Sequence, residues 1–182
     1  MNSYNSIVSR LRELLAQKNP VLAAIDGYGG AGKTTLATQI QAEFPTSPII
    51  TLDAFATDTT TGADRIRFRT HVLEPLASRR TARYQPFNWK KRSLDDCWVE
   101  VKADGLVLIE GVSVLGEDFQ HYYDLRIWMD CPFERAQERM KERERKAGRE
   151  FSLSNYFNVW EKEDRDYGLT KPWERADIII PA

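Results

Sequence analysis

Cysteine is scarce: Cys97 and Cys131 are the only two in 182 residues. They have no metal-ligand spacing and form no disulfide framework, which suits a reducing cytoplasm. No apolar run approaches the ~18–20 residues that a bilayer-spanning helix needs. The first residues, Met1-Asn-Ser-Tyr-Asn5, lack the basic start and apolar stretch of a secretory signal, so the expected location is cytoplasmic. Net charge is only −1, and without a basic excess neither a dedicated nucleic-acid surface nor a membrane surface is expected. Internal repeats, linkers and low-complexity tracts are also missing. What remains is the expectation of one domain over residues 1–182, at 42% hydrophobic long enough for a full core. Nothing here fixes an oligomeric state.

Against these absences one run stands out. Residues Gly27, Tyr28, Gly29, Gly30, Ala31, Gly32, Lys33, Thr34 and Thr35 fit the Gly-x-x-x-x-Gly-Lys-Ser/Thr phosphate-binding loop. Glycines let the backbone curl so that successive N–H groups turn inward as a nest for a polyphosphate. Lys33 then supplies a mobile positive charge near the β- and γ-phosphates, and the Thr34 hydroxyl is available to Mg²⁺. Thr35 is placed to touch the α-phosphate. The apolar strand Val21–Asp26 precedes the loop, and a helix from Lys33 follows it with Leu36, Ala37, Ile40 and Phe44 at helical spacing. That context predicts a bound nucleoside triphosphate.

Strand and helix signals alternate along the rest of the chain. An amphipathic first helix carries Ile7, Leu11, Leu14 and Leu15. Further strands are expected at 49–53, 105–111, 125–130 and 176–180, with a short edge strand at 98–101. Helices are expected at 63–78, where Pro75 would kink the end, after Pro132, and at 153–166; Thr57 to Gly62 reads as a polar loop. Such alternation implies an α/β fold with a parallel sheet covered on both faces.

Ligands of such sheets collect at the carboxyl ends of the strands, where Asp26, Asp53, Glu110 and Asp130 stand. Asp53 is the candidate to accept a proton from an attacking hydroxyl. Glu110 is the candidate to support Mg²⁺ or touch the substrate. Asp26 and Asp130 read as turn or cap acids. In the basic helix from Glu134, Arg135, Arg139 and Arg143 form a like-charge stripe that costs a few tenths of a kcal/mol per pair unless an anion neutralises it. Two readings are open: a lid over 134–152 whose Arg139 and Arg143 close on a nucleotide, or a solvated helix. Tyr84, Phe87, Asn88 and Trp89 could clamp an acceptor or only pack a loop. Arg65, Arg67 and Arg69 alternate and cannot share one face; Arg65 is the candidate to reach the acceptor.

Taken in order, Ile25 to Thr35, Leu52-Asp-Ala-Phe55, Tyr84 to Trp89 and Leu108-Ile-Glu-Gly111 resemble the uridine kinase-like family of P-loop kinases. The resemblance runs from Val21 to Ile180. It implies a three-layer P-loop fold with a five-stranded parallel sheet of order 2-3-1-4-5, ATP and Mg²⁺ at the loop, and an arginine-bearing lid. It also implies transfer of the γ-phosphoryl group to a hydroxyl of a small metabolite, such as a nucleoside. The family's catalytic acid and its Asp-x-Phe sequence match Asp53 and Phe55, and its acceptor region matches Tyr84 to Trp89. Asn88 stands where relatives often carry Asp, and the paired-arginine run of the lid is missing. A nucleoside-monophosphate kinase is a rival, gripping a second phosphate with Arg65, Arg69 or Arg83. So is a GTPase-like binding module, although no Asn-Lys-x-Asp sequence follows the third strand.

Overall fold

The strand β1, Val21–Asp26, is buried at all six positions, as expected for a central strand covered on both faces. Its side chains alternate between two cores. Val21, Ala23 and Ile25 join Ile7, Leu11, Leu36 and Ile40 on one face. Leu22 and Ala24 join Phe55, Phe68, Val72 and Phe119 on the other. In this computed structural model the described residues are 3–56, 62–148 and 153–182, with the side chains of 3, 62–63 and 153–158 left aside. The loop expected at Thr57 to Gly62, and the end of the lid-like segment at 149–152, fall mostly outside them.

Helix α1 (Ser3–Gln17) packs on the first face beside α2 (Lys33–Glu43). The strands β2 (Ile49–Thr51), β3 (Leu106–Glu110), β4 (Leu125–Asp130) and β5 (Ile178–Pro181) complete the central sheet. All neighbours are parallel: β2 with β3, β3 with β1, β1 with β4, and β4 with β5. Numbered this way, the order is 2-3-1-4-5. Two short ribbons lie apart from the sheet, Ala82–Tyr84 with Val99–Val101 and Phe87–Asn88 with Ser93–Leu94. The edge strand expected at 98–101 is therefore not on the sheet; it pairs antiparallel with Ala82–Tyr84 and lays Val101 over the second core.

Beyond β2 the chain makes a 3₁₀ turn, Leu52–Ala54, so Asp53 stands one turn past the strand rather than on its end. Thr51 fixes that turn by accepting the Asp53 N–H on its hydroxyl, at 3.3 Å. Helix α3 (Gly62–Phe68) then passes through a π-helical stretch, Arg69–Leu73, into α4 (Glu74–Ala77). The cause is Pro75. In a regular helix its ring would clash with the carbonyl of His71, and the wider π turn just before it absorbs that clash. The expected kink is thus a bulge lying N-terminal to the proline. Helix α5 (Phe133–Lys146) and helix α6 (Leu153–Leu169) follow β4, and they pack together over the carboxyl end of the sheet.

Candidate active site

The phosphate-binding loop leaves β1 at Asp26 and enters α2 through Gly32, a left-handed N-cap with φ 98°. Lys33 is buried, and its ammonium donates to the carbonyls of Gly27 at 2.9 Å and Tyr28 at 3.0 Å. The Thr34 hydroxyl faces Glu110 Oε1 at 3.4 Å. Glu110 ends β3 in a buried position, and desolvation pushes its carboxyl up. Lys33 opposes that rise and the Asp53 charge adds to it. Lys33, Thr34, Asp53 and Glu110 therefore share one electrostatic neighbourhood, as the sequence predicts.

Asp26 is fully buried and accepts four hydrogen bonds: Gly27 N (2.7 Å), Ser113 N (3.1 Å), Leu115 N (2.7 Å) and the Tyr167 hydroxyl (2.6 Å). Burial raises its pKa, and these donors offset part of that rise. The turn-acid reading of Asp26 holds, with a wider role: it ties β1 to the loop after β3 and to α6. Tyr167→Phe should cost about 1–2 kcal/mol in urea unfolding, since it strips one donor from a buried carboxylate.

Sequence reasoning missed Asp164. It is 6% exposed and accepts the Gly29 N–H at 2.9 Å and the Gln137 amide at 3.3 Å. Gly29 was expected to present its amide to phosphate; that amide is engaged by Asp164 instead. Trp160, Asp164, Tyr167 and Gly168 form one face of α6. They meet Trp89 (ring centroids 6.0 Å), Gly29, Asp26 and the Tyr28 hydroxyl in turn. The signal was present in the spacing, but the expected helix stopped at Asp166, one residue before Tyr167. Tyr28 itself packs edge-on against Trp128 and Phe133 and wedges between α5 and α6.

Burial lifts the Asp164 carboxyl from its ordinary 3.8 to about 6. A raised carboxyl favours the folded state while it is protonated. Its contribution is full below about pH 3.8 and is lost as pH rises through about 6. The wild-type midpoint in urea should fall across that window, and Asp164→Asn should flatten the fall, by an amount on the order of 3 kcal/mol.

On the side expected to take an acceptor, Phe87–Asn88 packs against the Leu52–Ala54 turn. Phe55, 0% exposed, lies between Phe68 and Tyr84 (centroids 5.1 and 4.8 Å). It braces Asp53 from beneath and has no surface for a substrate. Tyr84 is likewise buried. Phe87 and Trp89 meet edge to face at 5.1 Å, and Trp89 stays partly exposed. Asn88 turns its carbonyl into the hairpin, accepting the N–H groups of Lys90 and Lys91 at 3.1 Å each. Arg65 is clamped by Asp118 (2.6 Å) and Ser113 (2.7 Å) and lies over the Phe119 ring. Arg67, which the sequence left as a solvated residue, donates to Phe55 O at 2.8 Å and Gln85 O at 3.2 Å, tying the Asp53 turn to the acceptor strand.

A groove of about 490 Å³ opens on the other side of the loop. Thr35, Gly32, Leu36, Gln39, Arg139 and Pro181 line it. Ala31 reaches it too, so the far half of the loop faces the groove. Of the arginine stripe, Arg139 borders this groove, with Nη1 3.7 Å from Cys131 Sγ. Arg143 is largely exposed and pairs with Glu144 at 3.1 Å, which fits the solvated reading for that position.

No protein-family model matches the chain. It is 26% identical to a uridine kinase of Geobacillus sp. (strain WCH70), over 90% of this chain and 87% of that one. With a uridine kinase of Clostridium novyi (strain NT) the figures are 27%, 89% and 87%. A solved structure described as a possible uridine kinase from Bacillus stearothermophilus superimposes with a TM-score of 0.65 at 18% identity, covering 96% of this chain and 99% of that one. Along nine-tenths of its length, this chain is similar in sequence to the uridine kinases, and it has the fold that P-loop kinases share.

Proposed function

We propose that the protein is an ATP-dependent kinase that transfers the γ-phosphoryl group to a hydroxyl of a small, unphosphorylated metabolite. One observation carries the reading: Lys33, Thr34, Asp53 and Glu110 meet at the carboxyl ends of β1, β2 and β3, on the lip of a phosphate-binding loop. Lys33 and the amides from Gly30 to Lys33 bind the polyphosphate, and the groove beside Thr35 and Arg139 takes the rest of the nucleotide. Thr34 and Glu110 offer facing oxygens, the donor chemistry that suits Mg²⁺. Bound there, the ion would neutralise charge on the phosphate oxygens. Asp53 orients the acceptor hydroxyl and takes its proton. The Phe87 and Trp89 edge, with Trp160 opposite, covers the acceptor and keeps water out.

The state of the arginines favours this reading over a nucleoside-monophosphate kinase. Arg65 is held by Asp118, Arg69 lies 3.4 Å from Glu74 and Arg83 lies 3.4 Å from Glu100. A second phosphate would meet acids Asp53 and Glu110 with none of these cations released. Both cysteines are free thiols, which accords with a cytoplasmic setting. Among the described residues no helix is long and apolar enough to cross a membrane. The test is ADP release from MgATP with a panel of nucleosides, sugars and other hydroxyl metabolites beside nucleoside monophosphates. Hydroxyl acceptors should stimulate release and monophosphates should not. Stimulation confined to monophosphates, or to none of the panel, would overturn the proposal.

A further inference from the structure

Four residues on one face of α6 meet four different parts of the site, and one of them is an acid inside the phosphate-binding loop's own hydrogen-bond network. The Asp164 carboxylate takes the Gly29 N–H at 2.9 Å. Its other partner, Gln137 on α5, donates from the amide nitrogen at 3.3 Å, while the Gln137 carbonyl oxygen is buried without a hydrogen bond. That arrangement has two settings. Ionised, Asp164 accepts from Gly29 and from Gln137 nitrogen. Protonated, it still accepts from Gly29, and a half-turn of the amide lets the stranded Gln137 oxygen receive the new O–H. The amide can thus engage either form of the acid.

Resting on the nucleotide-binding reading above, we propose that Asp164 is a positioning residue of the phosphate-binding loop, an anion built into its rim that takes up a proton when a nucleotide's polyphosphate enters. The carboxylate holds the Gly29 peptide inward in the way an external anion would. A polyphosphate brings further negative charge to the same run of amides, in a site where water is largely excluded, and two such anions cannot both stay charged cheaply.

The neighbouring charges agree with this. Lys33 favours the ionised form of Asp164, whereas burial, Asp26 and Asp53 oppose it, leaving the acid poised at about 6. From α5, Gln137 and Met140 face it without charge, and from the loop the Tyr28 hydroxyl feels its field. Phosphate charge near Lys33 would engage a cation that, with the Gly29 N–H, favours the ionised form of Asp164. No covalent step is involved: solvent supplies the proton on binding and regains it on release.

Calorimetric titration of the whole protein with MgATP, at about pH 5.5 and 7.5 in two buffers of different ionisation enthalpy, reads both affinity and proton uptake. If nucleotide raises the Asp164 pKa by about one unit, wild-type affinity should tighten roughly fivefold between the higher and lower pH. Asp164→Asn should lose the Asp164 share of the proton uptake and bind MgATP roughly eightfold more tightly than wild type at the higher pH. An acid that merely braces the fold predicts the opposite: weaker binding, with proton uptake unchanged. Equal uptake by the two proteins overturns the proposal whatever the affinities do. Should the variant not fold, the carboxyl carbon of Asp164 can be titrated by NMR in wild type. An upward shift with MgATP supports the proposal, and an unmoved titration sinks it. Wild type that binds no nucleotide at all would remove the reading beneath it, a result distinct from nucleotide binding with an indifferent Asp164.

Discussion

Asp53→Asn should lower turnover by about 10³-fold while MgATP affinity stays within a few-fold of wild type. The two quantities separate because Asp53 does not line the groove beside Thr35 and Arg139. Its N–H is held by Thr51, its turn packs against Phe87–Asn88, and its side chain is exposed. Asparagine keeps the size and the turn and loses the ability to take a proton. Single-turnover phosphoryl transfer, measured with whichever acceptor the panel identifies, tests the chemistry directly. A variant that turns over as fast as wild type would strip Asp53 of its role and make Glu110 the next candidate.

Gly30→Ala should be the most damaging small substitution in the chain. Gly30 adopts φ +88°, and a Cβ there would overlap the Ala136 carbonyl oxygen and crowd the Met140 nitrogen at 3.1 Å. Both are backbone atoms of α5, so no side chain can swing aside. Left-handed strain of about 1–2 kcal/mol adds to overpacking of about 1–3 kcal/mol. The expected result is a Tm lowered on the order of 10 °C, and MgATP affinity down more than about tenfold as α5 is pushed off the loop. Gly148→Ala is the control: φ there is +68°, yet nothing lies within 4 Å of the added carbon. It should show the backbone strain alone. Equal Tm losses in the two variants would mean that contact with α5 contributes nothing.

The central sheet was legible because its strands are written as largely apolar runs, interrupted in β4 by Arg126, and β1 and β3 carry no polar residue until their last. The phosphate loop was legible because its glycines and Lys33 have no cheaper explanation. The acceptor side was read less well. Asn88 and Arg65 have the right chemistry for a ligand, but each found a partner inside the protein, and nothing in a sequence distinguishes an arginine that waits for substrate from one already held by Asp118. Asp164 was missed for a related reason. An acid in a charged helix looks solvated until the packing of α5 and α6 buries it, and that burial depends on contacts from the phosphate-binding loop and from α5. Pro75 marked a disturbance correctly, but how the helix absorbs it depends on the core that Val72 and Leu73 must reach.

The segment between β2 and β3 has a consequence beyond this one active site. Residues 52–105 supply Asp53, both ribbons and the Trp89 edge, all on one side of the sheet, while the nucleotide side comes from the loop, α2, α5 and the end of β5. On the proposed reading, most of acceptor recognition, Trp160 of α6 aside, therefore sits in a different stretch of chain from donor recognition. A lineage could exchange its metabolite by rewriting one continuous insert while its energy source stayed unchanged.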